Sequence, residues 1–238
     1  MIASRGGACQ DPGGRLELRQ LDRSARGESS GAVIAIAWAV CSGPVVALCL
    51  RADASAWVAL CVYQFGCALA TRVVRGGLGR RPATARLLGV AIATAAIVVA
   101  LGFAARWLGF FPRPRPIWQA WGLEPPGDMW LVLVFATLNP WIEERFWRGA
   151  LLDDPVRRRV GARGARALAV WGFCPLHAVF LLRSFDALSG WLCTGGVLLA
   201  AILWTSARER SGSAWWAAAS HQGADVGVVC LYWLWLRA

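Results

Sequence analysis

Two histidines, both placed in apolar segments, are the residues of this chain best suited to acid–base chemistry. His177 and His221 are the only histidines among the 238 residues. Asp225 follows His221 by four positions, and an earlier apolar segment carries the adjacent carboxylates Glu143 and Glu144. Ionisable side chains are costly within a membrane, so by default they mark a functional site there. Carboxylates and imidazoles around a wet cavity can activate water and stabilise an oxyanion, as a peptide hydrolase must.

The elements that must position these residues are membrane-spanning helices. Apolar residues make up 57% of the chain and charged residues only 16%, a composition too apolar for a water-soluble domain of this length. A helix needs about 20 apolar residues to cross the hydrocarbon core of a bilayer. The sequence therefore predicts an all-α, polytopic transmembrane bundle of about seven spans. They run approximately over residues 32–50, 54–70, 87–105, 129–151, 167–182, 187–207 and 214–236.

The distribution of arginine predicts how the bundle is oriented. All 25 basic residues are arginine, and they concentrate in alternate connections. Because such connections stay in the cytoplasm, the amino terminus is predicted to be cytoplasmic and the carboxyl terminus to lie outside. This topology also explains the net charge of +11, so nucleic acid is not an expected partner. We predict a multi-pass protein of a bacterial inner membrane.

The domain boundaries follow from the same pattern. Residues 1–31 are rich in Gly, Ser and Arg and hold too few apolar side chains to offset the entropy of folding. They are predicted to form a disordered cytoplasmic tail, at most a short surface helix. Residues 32–238 are predicted to form the transmembrane domain, with the chemically interesting core over 129–236.

The candidate residues converge on one depth in the predicted topology. A helix advances about 1.5 Å per residue from the cytoplasmic end of each span. On this count the depths are about 12 Å for Glu143, 15 Å for His177, 10 Å for His221 and 16 Å for Asp225. Residues four apart share a helix face, so Glu144 is expected to pair with Arg148, and His221 to lie beside Asp225.

Three motifs in this region resemble those of the CAAX protease and bacteriocin-processing family of intramembrane endopeptidases, which includes the type II CAAX prenyl endopeptidase. The family motifs are Glu-Glu-x-x-x-Arg, Phe-x-x-x-His and His-x-x-x-Asn or Asp. They stand here as Glu143, Glu144 and Arg148; Phe173 and His177; and His221 and Asp225. The resemblance covers residues from about 135 to 230, and the first three spans carry no motif.

The resemblance implies a glutamate-dependent intramembrane protease. Glu143 would be the general base and act with His177 on a water, while His221 and residue 225 would stabilise the oxyanion. The supporting residues would be Glu144, Arg148 and Phe173. Asparagine is often found at the last motif position, and Asp225 departs from it because an ionised aspartate only accepts hydrogen bonds. Asp225 is therefore protonated, orients His221 or ligates a metal, and the sequence leaves all three open.

The predicted reaction is hydrolysis of a peptide bond in a membrane-associated precursor or sorting-signal peptide, without a cofactor. One alternative is a zinc metalloprotease with the ligands Glu143, His177, His221 and Asp225, although the chain has no His-Glu-x-x-His. Another is a non-catalytic scaffold or immunity protein of the same fold. A transporter is disfavoured, because the ionisable residues gather on the cytoplasmic side rather than crossing the membrane as a ladder.

Overall fold

Helices are the regular secondary structure of the described residues, joined by short turns and connections. The computed structural model describes residues 12–51, 56–110 and 127–236, and no strand occurs within these ranges. The α-helices are α1 (Pro12–Arg51), α2 (Ala56–Val74), α3 (Thr84–Trp107), α4 (Gly127–Thr137), α5 (Asn139–Glu144), α6 (Asp154–Trp171), α7 (Phe173–Ser184), α8 (Ala187–Ser211) and α9 (Trp215–Leu231). A π-helical segment (Arg145–Gly149) and a 3₁₀ turn (Ala150–Leu152) follow α5, and a second π-helical segment (Tyr232–Leu236) follows α9. The predicted all-α fold class is confirmed.

Five helical stretches are long and apolar enough to cross a membrane, so the chain is a multi-pass membrane protein. They are Ser29–Arg51, Ala56–Val74, Thr84–Trp107, Asp154–Ser184 and Ala187–Ser211. The predicted spans 129–151 and 214–236 are not among them. The first is broken between α4 and α5 and then changes to π and 3₁₀ geometry, and α9 has only 17 residues. A total of seven spans and a cytoplasmic amino terminus stay predictions.

The first helix extends beyond its apolar stretch. Residues 12–31 continue α1 toward the amino terminus, within the segment predicted to be a disordered tail or a short surface helix. The boundary between tail and transmembrane domain at residues 31 and 32 therefore stays a prediction.

Small residues let α9 approach α3 closely. A side-chain carbon added at Gly223 would lie 2.1 Å from the backbone oxygen of Ala91, and one added at Gly227 would lie 2.8 Å from Cβ of Val98. Close backbone approach through small residues is the usual way in which helices pack within membranes. Because Gly223 lies between His221 and Asp225, this contact sets the position of the third motif.

Candidate active site

The first motif changes its helical geometry between its two glutamates and its arginine. Glu143 and Glu144 end α5, and Arg148 lies in the π-helical segment that follows. Phe146, Trp147 and Arg148 are consecutive, and each is fully buried. Short π-helical segments are rare and occur frequently at functional sites. Here the segment brings the arginine back toward Glu144 within the protein interior.

Glu144 is the acceptor for two buried cationic or polar side chains. Arg148 Nη1 donates to Glu144 Oε1 at 2.9 Å, the pairing expected from the sequence. The same oxygen accepts from His221 Nδ1 at 3.0 Å. Arg148 Nη2 also donates to the backbone oxygen of Ala201 in α8, at 3.3 Å. One carboxylate thus joins the first motif to the third.

The other ring nitrogen of His221 faces two further carboxylates. Its Nε2 lies 3.8 Å from Glu143 Oε2 and 3.6 Å from Asp225 Oδ1, and all three side chains are buried. Both distances exceed those of normal hydrogen bonds. Among the described residues, Glu143 Oε2 and Asp225 Oδ2 have no hydrogen-bond partner. The imidazole is therefore held at Nδ1, and its Nε2 lies near Asp225 Oδ1 and near Glu143 Oε2, the latter an oxygen without a hydrogen-bond partner among the described residues.

Aromatic rings fix the plane of the His221 imidazole. Trp204 of α8 stacks on it, with ring centroids 4.4 Å apart and planes 21° apart. Phe173 meets it edge-on at 5.9 Å. The Arg148 guanidinium carbon lies 4.6 Å from the Phe173 centroid and 5.3 Å from that of Trp204. Such cation–π and stacked contacts add to the hydrogen bonds in restricting His221 and Arg148 to one arrangement.

His177 joins this cluster through the other residue of its own motif. Its Nδ1 lies 3.0 Å from the Phe173 backbone oxygen, and the two rings have centroids 4.3 Å apart. In the described part of the chain, no hydrogen bond or ion pair joins His177 to Glu143. The expectation that these two act together on one water stays a prediction.

Three polar residues that the sequence motifs do not include also reach the site: Tyr63, Gln64 and Asn139. Trp147 Nε1 donates to the Tyr63 hydroxyl at 2.8 Å, and Tyr63 is a neighbour of Glu143. Gln64 Nε2 donates to Asn139 Oδ1. Tyr63 and Gln64 are adjacent in α2, in a predicted span without a motif. In the sequence, the only sign of a role for these two residues is that two polar side chains stand next to each other within an apolar span.

The connection between α2 and α3 ties two of the motif-bearing segments together. The Ala214 N–H donates to the Leu78 backbone oxygen at 2.9 Å, just before α9. On its other side, a side-chain carbon added at Gly76 would lie only 2.7 Å from backbone atoms of Ala150, directly after the π-helical segment. This connection therefore sets the distance between the first and third motifs.

Arg208 supports the π-helical segment from outside the site. Its Nε donates to the Arg148 backbone oxygen at 3.0 Å, and its Nη2 to Asp153 Oδ1 at 3.3 Å. Burial raises the pKa of the Asp153 carboxyl above its usual range, and the Arg208 guanidinium opposes this rise. The ion pair thus anchors the end of the first motif to the last turn of α8.

The candidate zinc ligands are not arranged as a metal centre. Among the residues that the structure describes, no three His, Cys, Asp or Glu side chains are placed to hold a metal ion. His177 uses Nδ1 for its own helix, and His221 Nδ1 is bound to Glu144. The geometry of the described residues does not fit the zinc alternative. That alternative stays a hypothesis, and metal analysis of the purified protein tests it.

Comparison with known proteins identifies the segment that contains this cluster. Residues 125–227 match the family described as Type II CAAX prenyl endopeptidase Rce1-like. The matched segment includes all three motifs, so the family predicted from them is confirmed. Searches of curated proteins and of solved structures found no match to the chain.

Proposed function

We propose that this chain, a member of the Rce1-like family, is an intramembrane endopeptidase that cleaves a peptide bond in a membrane-associated precursor or sorting-signal peptide. The family match supports a CAAX-type membrane protease in general terms. The substrate, the glutamate-dependent mechanism and the bacterial inner membrane are parts of the proposal.

The observation that carries the proposal is the set of contacts around His221. One imidazole lies within 3.0 to 3.8 Å of three buried carboxylates that come from two separate segments of the chain. Clustered buried acids are costly unless a charge partner or a reaction requires them. Arg148 is the charge partner of Glu144 and compensates the burial of that carboxylate. No arginine pairs with Glu143 or Asp225 among the described residues, and each of the three carboxylates keeps one oxygen without a protein hydrogen-bond partner that a water or substrate could use.

In the proposed mechanism Glu143 is the general base. Glu143 Oε2 and His221 Nε2 are 3.8 Å apart, so one water can lie at about 2.8 Å from both. Glu143 takes a proton from this water while the water oxygen attacks the peptide carbonyl carbon. Glu143 then passes the proton to the leaving amine nitrogen. His221 and Asp225 would stabilise the oxyanion, and His177 would help to place the water. Glu144 and Trp204 keep the His221 ring in its orientation.

The decisive experiment compares membrane precursors in cells that carry the wild type or Glu143→Gln. The amide keeps the size of the side chain but cannot accept a proton as a carboxylate does. We expect at least one uncut precursor to accumulate, which would identify the substrate as well. Glu209→Gln is the matched control, because Glu209 lies at the exposed end of α8 and should leave processing unchanged. Identical precursor profiles in wild type and Glu143→Gln would favour the scaffold alternative.

The zinc alternative needs a separate measurement. Purified protein is analysed for bound metal, and cleavage of the accumulated precursor is measured with and without a chelator. The proposal predicts cleavage that survives chelation. Loss of cleavage that added zinc restores would instead support the alternative with Glu143, His177, His221 and Asp225 as ligands.

A further inference from the structure

Asn139 is a buried amide that the proposed mechanism does not yet use. Its side chain is 3% exposed, and its Oδ1 accepts a hydrogen bond from Gln64 Nε2. This contact orients the amide and leaves its nitrogen on the opposite side. The amide faces Asp225, but Asn139 Nδ2 makes no hydrogen bond of normal length and angle to a described residue. A buried donor without a partner is costly to keep, so it calls for an explanation.

The position of Asn139 places this donor beside the proposed base. Asn139 begins α5 and Glu143 lies four residues later. Residues four apart share a helix face, one turn from each other. On the other side of the site, Asp225 also has an oxygen without a partner. The Asn139 amide is therefore on the same helix as the proposed general base, one turn before it, and faces the last residue of the third motif.

The site is short of donors for a developing negative oxygen. Peptide hydrolysis needs pre-positioned N–H or O–H groups at the oxyanion. His221 has only Nε2 left because Nδ1 is bound to Glu144, and Arg148 has only Nε left because both Nη atoms are bound to protein acceptors. Asp225, which the proposed mechanism places at the oxyanion, can donate a hydrogen bond only while it is protonated. Asn139 Nδ2 is a further neutral donor that is buried and oriented, and it makes no hydrogen bond of normal length and angle to a described residue.

We propose that Asn139 Nδ2 donates a hydrogen bond to the oxyanion formed during peptide hydrolysis, with Gln64 holding its amide in position. This inference rests on the proposed function. It assigns to Asn139 the donor role that a carboxylate at position 225 does not supply.

The test measures cleavage of the precursor that accumulates with Glu143→Gln, using purified protein in detergent micelles. Loss of one oxyanion donor lowers turnover by about 100-fold to 1,000-fold. We therefore expect Asn139→Ala to lower kcat by about 100-fold, while KM changes less than about threefold. Thr137→Ala is the matched control, because Thr137 is exposed on the preceding helix and its hydroxyl bonds only to its own helix. It should retain wild-type kcat.

A second variant separates a donor role from a structural one. Asn139→Ala combined with Asp225→Asn places an amide on the opposite side of the same gap. We expect it to recover at least about tenfold of the lost kcat, whereas a purely structural defect would not be repaired. Wild-type kcat in Asn139→Ala, or a loss that the second substitution leaves unchanged, overturns the inference. Absence of cleavage by the wild type itself would instead contradict the proposed function.

Discussion

Replacement of Arg148 by methionine tests whether the buried ion pair holds the candidate site together. Arg148 is fully buried, and it donates to Glu144 and to the Ala201 backbone oxygen. Methionine has a similar length and fills the space, but it carries no charge. The substitution therefore leaves Glu144 as a buried carboxylate without its cation and the Ala201 oxygen without this donor.

The size of the effect follows from these contacts. Removal of one partner of a buried ion pair costs about 3–5 kcal/mol of unfolding free energy. Adding Glu144→Gln removes the uncompensated charge, and the glutamine oxygen can still accept from His221 Nδ1. The double variant should then lack only the Ala201 contact and the cation–π contacts with Phe173 and Trp204, about 1–3 kcal/mol in all. We expect the double variant to be more stable than Arg148→Met by about 2 kcal/mol.

The measurement is the free energy of unfolding in mixed detergent micelles, followed by tryptophan fluorescence. Arg210→Met is the control, because Arg210 is exposed near the end of the same helix that carries Trp204. It should change stability by no more than about 0.5 kcal/mol. Two results would refute the reasoning: wild-type stability of Arg148→Met, or a double variant no more stable than the single one.

Two further substitutions test the supports of the site. Gly76→Ala should lower unfolding free energy by about 1–3 kcal/mol, because the added carbon meets backbone atoms of Ala150 at 2.7 Å. Gly77→Ala, where nothing lies closer than 4.0 Å, should cost less than about 1 kcal/mol; equal losses in these two variants would contradict the packing argument. Trp204→Ala removes the ring stacked on His221 and should cost about 3–5 kcal/mol in the same assay. Trp204→Phe keeps a ring and should cost less than half as much, so equal losses would show that stacking does not matter.

The amino-acid sequence alone determined the features that depend on local periodicity. Composition and apolar runs predicted an all-helical membrane protein, and the spacing of four residues predicted the Glu144–Arg148 pair. The three motifs predicted the family that the match to residues 125–227 confirms. These inferences succeed because residues on one helix face are neighbours whatever surrounds the helix.

Only the tertiary structure decided which helices supply the rest of the site. His221 binds Glu144, which lies 77 residues earlier, and the stacking partner Trp204 and the neighbour Tyr63 of Glu143 come from segments without those motifs. Contacts of this kind depend on the rotation and depth at which helices meet. Close packing sets both, as where the backbone of Ala91 lies against Gly223. No spacing within one helix carries that information, because it arises only when two helical surfaces fit together.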